Sequence, residues 1–362
     1  MTGIPRRHHY VTKSYLEGFL EPGEQTLWCY GRKKMQPFRA SPDKLANIRD
    51  FHSFRRADGT IDFSLETLID KEIESPGMPV IRKLTRGKTN LDFSQRWILS
   101  RLIALQNVRV PYERDFLDRQ TKESLMDYIN DMDMESRRLG KPVNAIEVAV
   151  SPTDQVPKAD AWVLITRAFV ENELRAIEAD PGRSSRDVLF TVAADIAKVY
   201  VQMEWTIFYI VGTARFITSD CPVVTSYLDG RKSGGIKDPH CEVTFPLSCK
   251  ALLRMKHPSW LLTSMRKKRV NEAKKSRRGA RPKINVAHAD DAMVRHLNEF
   301  HADQAHLWAF SGRSEGWLLD RMQRPGKGLK RRKTAVDLLV PQKSGETPAR
   351  MTRKRELAVD FD

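Results

Sequence analysis

His8 and His9 stand side by side in a polar, arginine-flanked stretch. An imidazole can bind a metal, move a proton or contact a phosphate. Asp220 lies where the β-rich run Phe216-Ile217-Thr218-Ser219 meets Cys221-Pro222. A carboxylate held by rigid backbone at a strand end is well placed for catalysis or metal binding, and Pro222 keeps Cys221 extended. Gln106 and Arg109 fall three apart on one helix face. Arg109 suits an anion or a carboxylate partner such as Asp220. Glu66 and Glu74, two helical turns apart, share a face, and with a histidine and Asp220 they would suit Mg²⁺ or Mn²⁺. The catalytic candidates are therefore His8, His9, Arg109 and Asp220. Gln106 is a binding candidate, and Asp220 and Glu66 are metal-ligand candidates. Structural roles stay open beside these. Asp220 could cap a turn, His9 could be a core histidine, Arg109 could form an ordinary salt bridge, and His8-His9 could pin the start of the chain.

The elements that must position these groups follow from local patterning. A short helix is predicted over Val11–Leu20 and closed by Glu21-Pro22-Gly23. Strands are predicted at Leu27–Tyr30 and Phe51–Phe54, with a hairpin turn at Ala57–Thr60. Ser64 is read as the N-cap of a helix reaching Glu74, which Pro76-Gly77 interrupts before it resumes over Pro79–Leu84. Asp92–Asn107 has broad helical spacing, and Pro111 opens a long helix to Leu139. Asp154–Pro157 reads as a connector, and Asp160–Asp180 and Ser185–Tyr200 as helices. Strands follow at Trp205–Val211, Arg215–Ser219, Cys241–Phe245 and Ala251–Met255, and helices at Ile284–Phe300 and His301–Ser311. The class is α+β: a small mixed or antiparallel sheet from the N-terminal and 205–255 strands, packed on a helical middle. One domain, 1–322, is expected, followed by a flexible, disordered basic tail, 323–362, with a short helix near Thr334–Val340.

The formal net charge is +16, and it is local. Residues 250–283 carry 13 Lys/Arg against Glu272, and residues 323–356 carry 11 against three acids. Together they hold +20, so the remainder nets −4. The densest part is an insertion, 266–281, with Arg266, Lys267, Lys268 and Arg269, then Lys274, Lys275, Arg277 and Arg278. Such runs repel themselves and suit phosphate contacts. The partner they imply is nucleic acid or another polyanion, although a solvated basic loop with no dedicated partner has the same composition.

Other classes fall away. No apolar run approaches the length of a membrane span, and no apolar stretch follows Arg6-Arg7 as a secretory or twin-arginine signal requires. Cys29, Cys221, Cys241 and Cys249 form no CxxC pair, so reduced thiols in a cytoplasmic protein are expected. No His-Glu-x-x-His, phosphate-binding loop or Gly-x-Ser-x-Gly motif occurs, and no cofactor is evident beyond the Mg²⁺ or Mn²⁺ a carboxylate site would accept. A restriction-type core also lacks its lysine after Glu242.

The order of several short motifs resembles domain-of-unknown-function family 4238. They are His8-His9-Tyr10-Val11 with Tyr15-Leu16 and Phe19, Trp28-Cys29-Tyr30, and Phe51–Phe54 followed by a helix with Glu66 and Glu74. Gln106 with Arg109, Phe216–Pro222, Phe245–Ser248, and Asn285 with Ala287 continue the order. The resemblance covers about residues 6–311 and departs at Thr12-Lys13 and at the basic insertion. It supplies positions, not a reaction. The expectation is a nucleic-acid-acting protein, with metal-assisted phosphodiester cleavage as its reaction. The alternatives are a non-enzymatic nucleic-acid-binding protein and a small-molecule enzyme with incidental basic segments.

Overall fold

A computed structural model describes residues 6–55, 59–150, 161–228, 235–257 and 283–324. The basic residues 266–281, the connector 154–157 and the predicted helix 334–340 lie outside the described residues. The chain divides into two compact units, one from residues 1–114 and 187–342 and one built on residues 115–186.

The larger unit begins with β1 (Arg7–His9), α1 (Lys13–Leu16), β2 (Leu27–Gly31), β3 (Phe38–Ala40), β4 (Asn47–Arg49) and the small hairpin β5 (Phe54–Arg55) and β6 (Ile61–Asp62). Next come α2 (Ser64–Ile69), one π turn (Asp70–Glu74), α3 (Ser75–Thr85) and α4 (Phe93–Val108). Asp92 caps α4: its carboxylate accepts from the Gln95 amide at 2.8 Å while the Gln95 side chain reaches back. Leu99, Leu102, Ile103 and Leu105 of α4 are buried in the main core. Pro111 opens α5 (Pro111–Leu139), the first turn being where a missing N–H costs least.

The smaller unit pairs β7 (Ala145–Val150) with β8 (Ala161–Thr166) and follows them with α6 (Arg167–Ala179). The expected helix over 160–180 thus begins as a strand and is helical only from Arg167. Val163-Leu164-Ile165-Thr166 is rich in β-branched residues, and the Thr166 hydroxyl accepts from the Phe169 amide at 3.2 Å to start α6. Helix α7 (Arg183–Tyr200) follows.

In the larger unit, β9 (Glu204–Ile210), β10 (Thr218–Ser219), β11 (Val224–Tyr227), β12 (Cys241–Ser248), β13 (Ala251–Lys256), β14 (Asn285–Ala289), α8 (Asp291–Gln304), β15 (Trp308–Ser311) and α9 (Gly316–Gln323) complete the chain. The α+β class holds, but the expected single sheet is several. One has the order β11-β12-β13-β9-β14, with β14 parallel to β9. Another has the order β10-β15-β2-β3. Of the strand expected over Arg215–Ser219, only Thr218–Ser219 is strand, and it pairs with β15. The expected helices over 284–311 yield two strands around α8. Both strands are short and pair with distant segments, so no local period announces them. Among the described helices, none is long and apolar enough to cross a membrane.

Pro76-Gly77 does not interrupt its helix. The Ser75 amide donates to the carbonyl of Asp70, five residues back, so the π turn leads straight into α3. Pro76 falls in the first turn of α3, where its missing N–H is tolerated. Gly77 is there for packing: a Cβ would meet Leu102 Cδ2 of α4 at 2.8 Å. Ser64 is the first helical residue rather than the cap, and its amide donates to Asp62 Oδ1 at 2.8 Å.

Candidate functional site

The continuous α2–π–α3 segment presents one long face. Glu66, Asp70, Glu74, Met78 and Arg82 recur every fourth residue and line a cavity of about 630 Å³, within the size range of small-ligand sites. The opposite wall is the N-terminal segment, with His8, His9, Thr12, Lys13, Ser14 and Glu17. Strand β1 pairs with β4, which fixes His8 against Ile48 in register and turns its ring inward.

Beneath the cavity lies a polar knot. Arg109, with only 1% of its side chain exposed, donates through Nη1 to Glu74 and through Nη2 to Thr12 Oγ1 at 2.6 Å and Gln106 Oε1 at 2.8 Å. The Thr12 hydroxyl donates to Glu74 Oε1 at 2.7 Å, and Gln106 Nε2 donates to the Tyr10 carbonyl at 2.6 Å. Arg109 therefore finds a carboxylate, as expected, but the carboxylate is Glu74 rather than Asp220. This knot ties α4, the end of the π turn and the segment after His9 together.

Two groups on the cavity wall are chemically uncommitted. Glu66 Oε2 is buried without a hydrogen-bond partner and lies 4.0 Å from His52 Nε2. Burial pushes the Glu66 carboxyl up to about 7; Arg109 opposes the shift, and Glu74 and Asp70 add to it. His9 Nε2 is likewise buried without a partner. Burial lowers the His9 pKa, and a hydrogen bond to the Pro42 backbone and the nearby Glu74 offset part of that. At neutral pH the cavity therefore holds a neutral imidazole and a carboxyl near its midpoint, a pairing suited to accepting and donating protons. Behind them His8 accepts from the His52 amide at Nδ1, 3.0 Å, and the two rings stack with centroids 6.0 Å apart. Phe63 meets His8 edge-on at 5.8 Å.

Asp220 is elsewhere. Its Oδ1 accepts from the His306 amide at 2.9 Å, and its Oδ2 from the amides of Leu307 at 2.6 Å and Trp308 at 3.1 Å. It caps the turn between α8 and β15 and does not line the cavity. The expected metal pair of Asp220 and Glu66 is thus not assembled. Among the described residues, no group of three or more His, Cys, Asp or Glu side chains is placed to hold a metal ion. All four cysteines are buried, and burial pushes the Cys29 thiol up to about 12.

The family model described as "Protein of unknown function (DUF4238)" matches residues 7–315. The chain belongs to this family. No curated protein and no solved structure matches it. The motifs that carry the DUF4238 resemblance fall into two groups. His8-His9, Glu66 and Glu74 line the cavity, and Gln106 and Arg109 lie in the knot beneath it. Others build the frame: the Tyr15 hydroxyl donates to the Pro246 carbonyl at 2.8 Å and meets Thr218 Oγ1 at 2.9 Å, which joins three motif segments. Sequence reasoning missed Thr12, His52, Asp70 and Arg82. The fourfold spacing from Glu66 to Arg82 was the available signal, and reading a break at Pro76-Gly77 hid it.

Proposed function

We propose that this protein acts on nucleic acid, with the cavity beside Glu66 and His9 as the place where protons are moved. One observation carries the reading. Two titratable groups, each with a buried polar atom that has no hydrogen-bond partner, share one cavity of ligand size. His9 Nε2 is the base and Glu66 the acid, and no step needs Asp220. The nucleic-acid partner is supported by the sequence. A body near neutrality carries +20 in two segments, a distribution that favours counterion release on a phosphate backbone. One observation favours a second reading, a small-molecule substrate with incidental basic segments: carboxylates outnumber cations on the cavity wall.

The test incubates end-labelled RNA and DNA with the full-length protein, Glu66→Gln and His9→Asn, with and without Mg²⁺ or Mn²⁺. Strand scission and base loss are both scored. Wild type should modify a polymer, and each variant should slow it by roughly 10²- to 10⁴-fold. No modification of any polymer, or equal rates for the three proteins, sinks the reading.

A further inference from the structure

We infer that the cavity receives the base-and-sugar part of a nucleoside, and that phosphate stays outside it. This rests on the cavity being the functional site proposed above.

Three observations point the same way. The first is charge. The walls bring Glu17, Glu66, Asp70 and Glu74 against only Lys13 and Arg82. Lys13 Nζ already lies 3.8 Å from Glu17, and the buried cation beneath, Arg109, is bonded to Glu74. Among the described residues Arg82 alone of these cations has no carboxylate partner, and an entering phosphate would meet it together with Asp70 and a partly ionised Glu66, so like charge outweighs opposite charge. A neutral or cationic group meets no such opposition.

The second is shape and surface. Phe63 and His8 both line the cavity and stand edge to face, with His52 stacked behind His8. Met78 adds an apolar, polarizable patch. Phe63 is the half-buried ring of this wall, backed by His8, and an accessible aromatic ring is the usual platform for an unstacked base.

The third is the hydrogen-bonding complement. Glu66 Oε2 and His9 Nε2 are buried and without hydrogen-bond partners. A carboxyl near its midpoint offers an acceptor or a donor, and a neutral imidazole nitrogen offers an acceptor. Amino and imino edges of bases and sugar hydroxyls satisfy such a pair. A phosphate at neutral pH presents mainly acceptors and would leave the His9 acceptor unmet. Substrate choice would then lie in the groups facing Glu66 and His9, while the polymer's charge is met away from the cavity.

Calorimetric titration of the full-length protein at neutral pH decides the matter, with the four ribonucleosides, thymidine and inorganic phosphate as probes. At least one nucleoside should bind, and a large excess of phosphate should not displace it. Glu66→Gln and Phe63→Ala should each weaken that binding by roughly tenfold or more. Displacement by phosphate, absence of binding by every nucleoside, or unchanged affinity in both variants overturns the inference. Should a variant melt well below wild type, the phosphate competition on wild type alone decides. If Glu66→Gln abolishes action on RNA or DNA but no nucleoside binds, the proposed function stands and this inference falls. If a nucleoside binds and no polymer is altered, this inference stands and the nucleic-acid reading falls.

Discussion

Two carboxylates in the larger unit show opposite uses of the same group. Asp220, at the end of β10, accepts from three successive backbone amides. Glu66, on α2, keeps a buried oxygen with no hydrogen-bond partner. Both are held by regular structure, and both looked equally chemical in the sequence. What separates them is saturation. A carboxylate whose lone pairs are taken by backbone donors is a structural part, because spending it on a substrate would orphan those donors. A carboxyl that folding leaves unsatisfied is a cost that stability alone does not explain, and such costs gather at functional sites.

The largest test of this contrast is Asp220→Ala. Three amides would lose their acceptor at once, and the turn between α8 and β15 would lose its cap. A loss of roughly 4–6 kcal/mol is expected at about 1–3 kcal/mol per orphaned donor, reduced because the bonds are only part-buried. Urea denaturation measures it, and Asp220→Asn, which keeps one carbonyl oxygen, should lose less. A variant as stable as wild type but without activity would move Asp220 to the functional side and undo the contrast.

Next comes Arg109→Leu. The substitution keeps bulk but strands Glu74 without its buried cation and leaves Thr12 and Gln106 each one partner short. Breaking one half of a buried ion pair costs about 3–5 kcal/mol. The effect should not add to that of Thr12→Val in the double variant, because the two share one network. Full additivity in a denaturation cycle would show that the knot is not a unit.

How much of this was legible before the fold was known depends on how far apart the partners are. Helix α4 was readable because Asp92, Gln95 and the apolar stripe to Leu105 sit within one helix, and Pro111 marked the start of α5 as plainly. Strands β14 and β15 were read as helix. What makes them strands is pairing with β9 and β2, far away in sequence, and four or five residues carry no period of their own. The same division runs through the site. Gln106 with Arg109 is a local pair and was visible. Arg109 with Glu74, and Glu66 beside His52 and His9, depend on the register of β1 with β4 and on an uninterrupted α2–π–α3 face. Pro76-Gly77 spoke locally for a break, and Leu102 of α4, which needs a glycine opposite it, overrode that signal.

The smallest expected effect bears most directly on what Glu66 is for. Its folded-state pKa of about 7 stands above the ordinary 4.5. Between those values the folded protein holds a proton that the unfolded chain has released, so stability falls as pH rises through this window. Below about pH 4 both states are protonated and the penalty vanishes; above about pH 7 it is complete. Glu66→Gln removes it. The side chain is 33% exposed, so solvent screening trims the gain, and about 1 kcal/mol, or a few degrees of melting temperature, is expected at about pH 8. At about pH 4 the melting curves of variant and wild type should coincide. Gain of stability together with loss of activity is the signature of a group kept for chemistry. A variant that is less stable than wild type at high pH would mean that the Glu66 charge is satisfied after all, by His52 or Arg109, and the two carboxylates would then be of one kind.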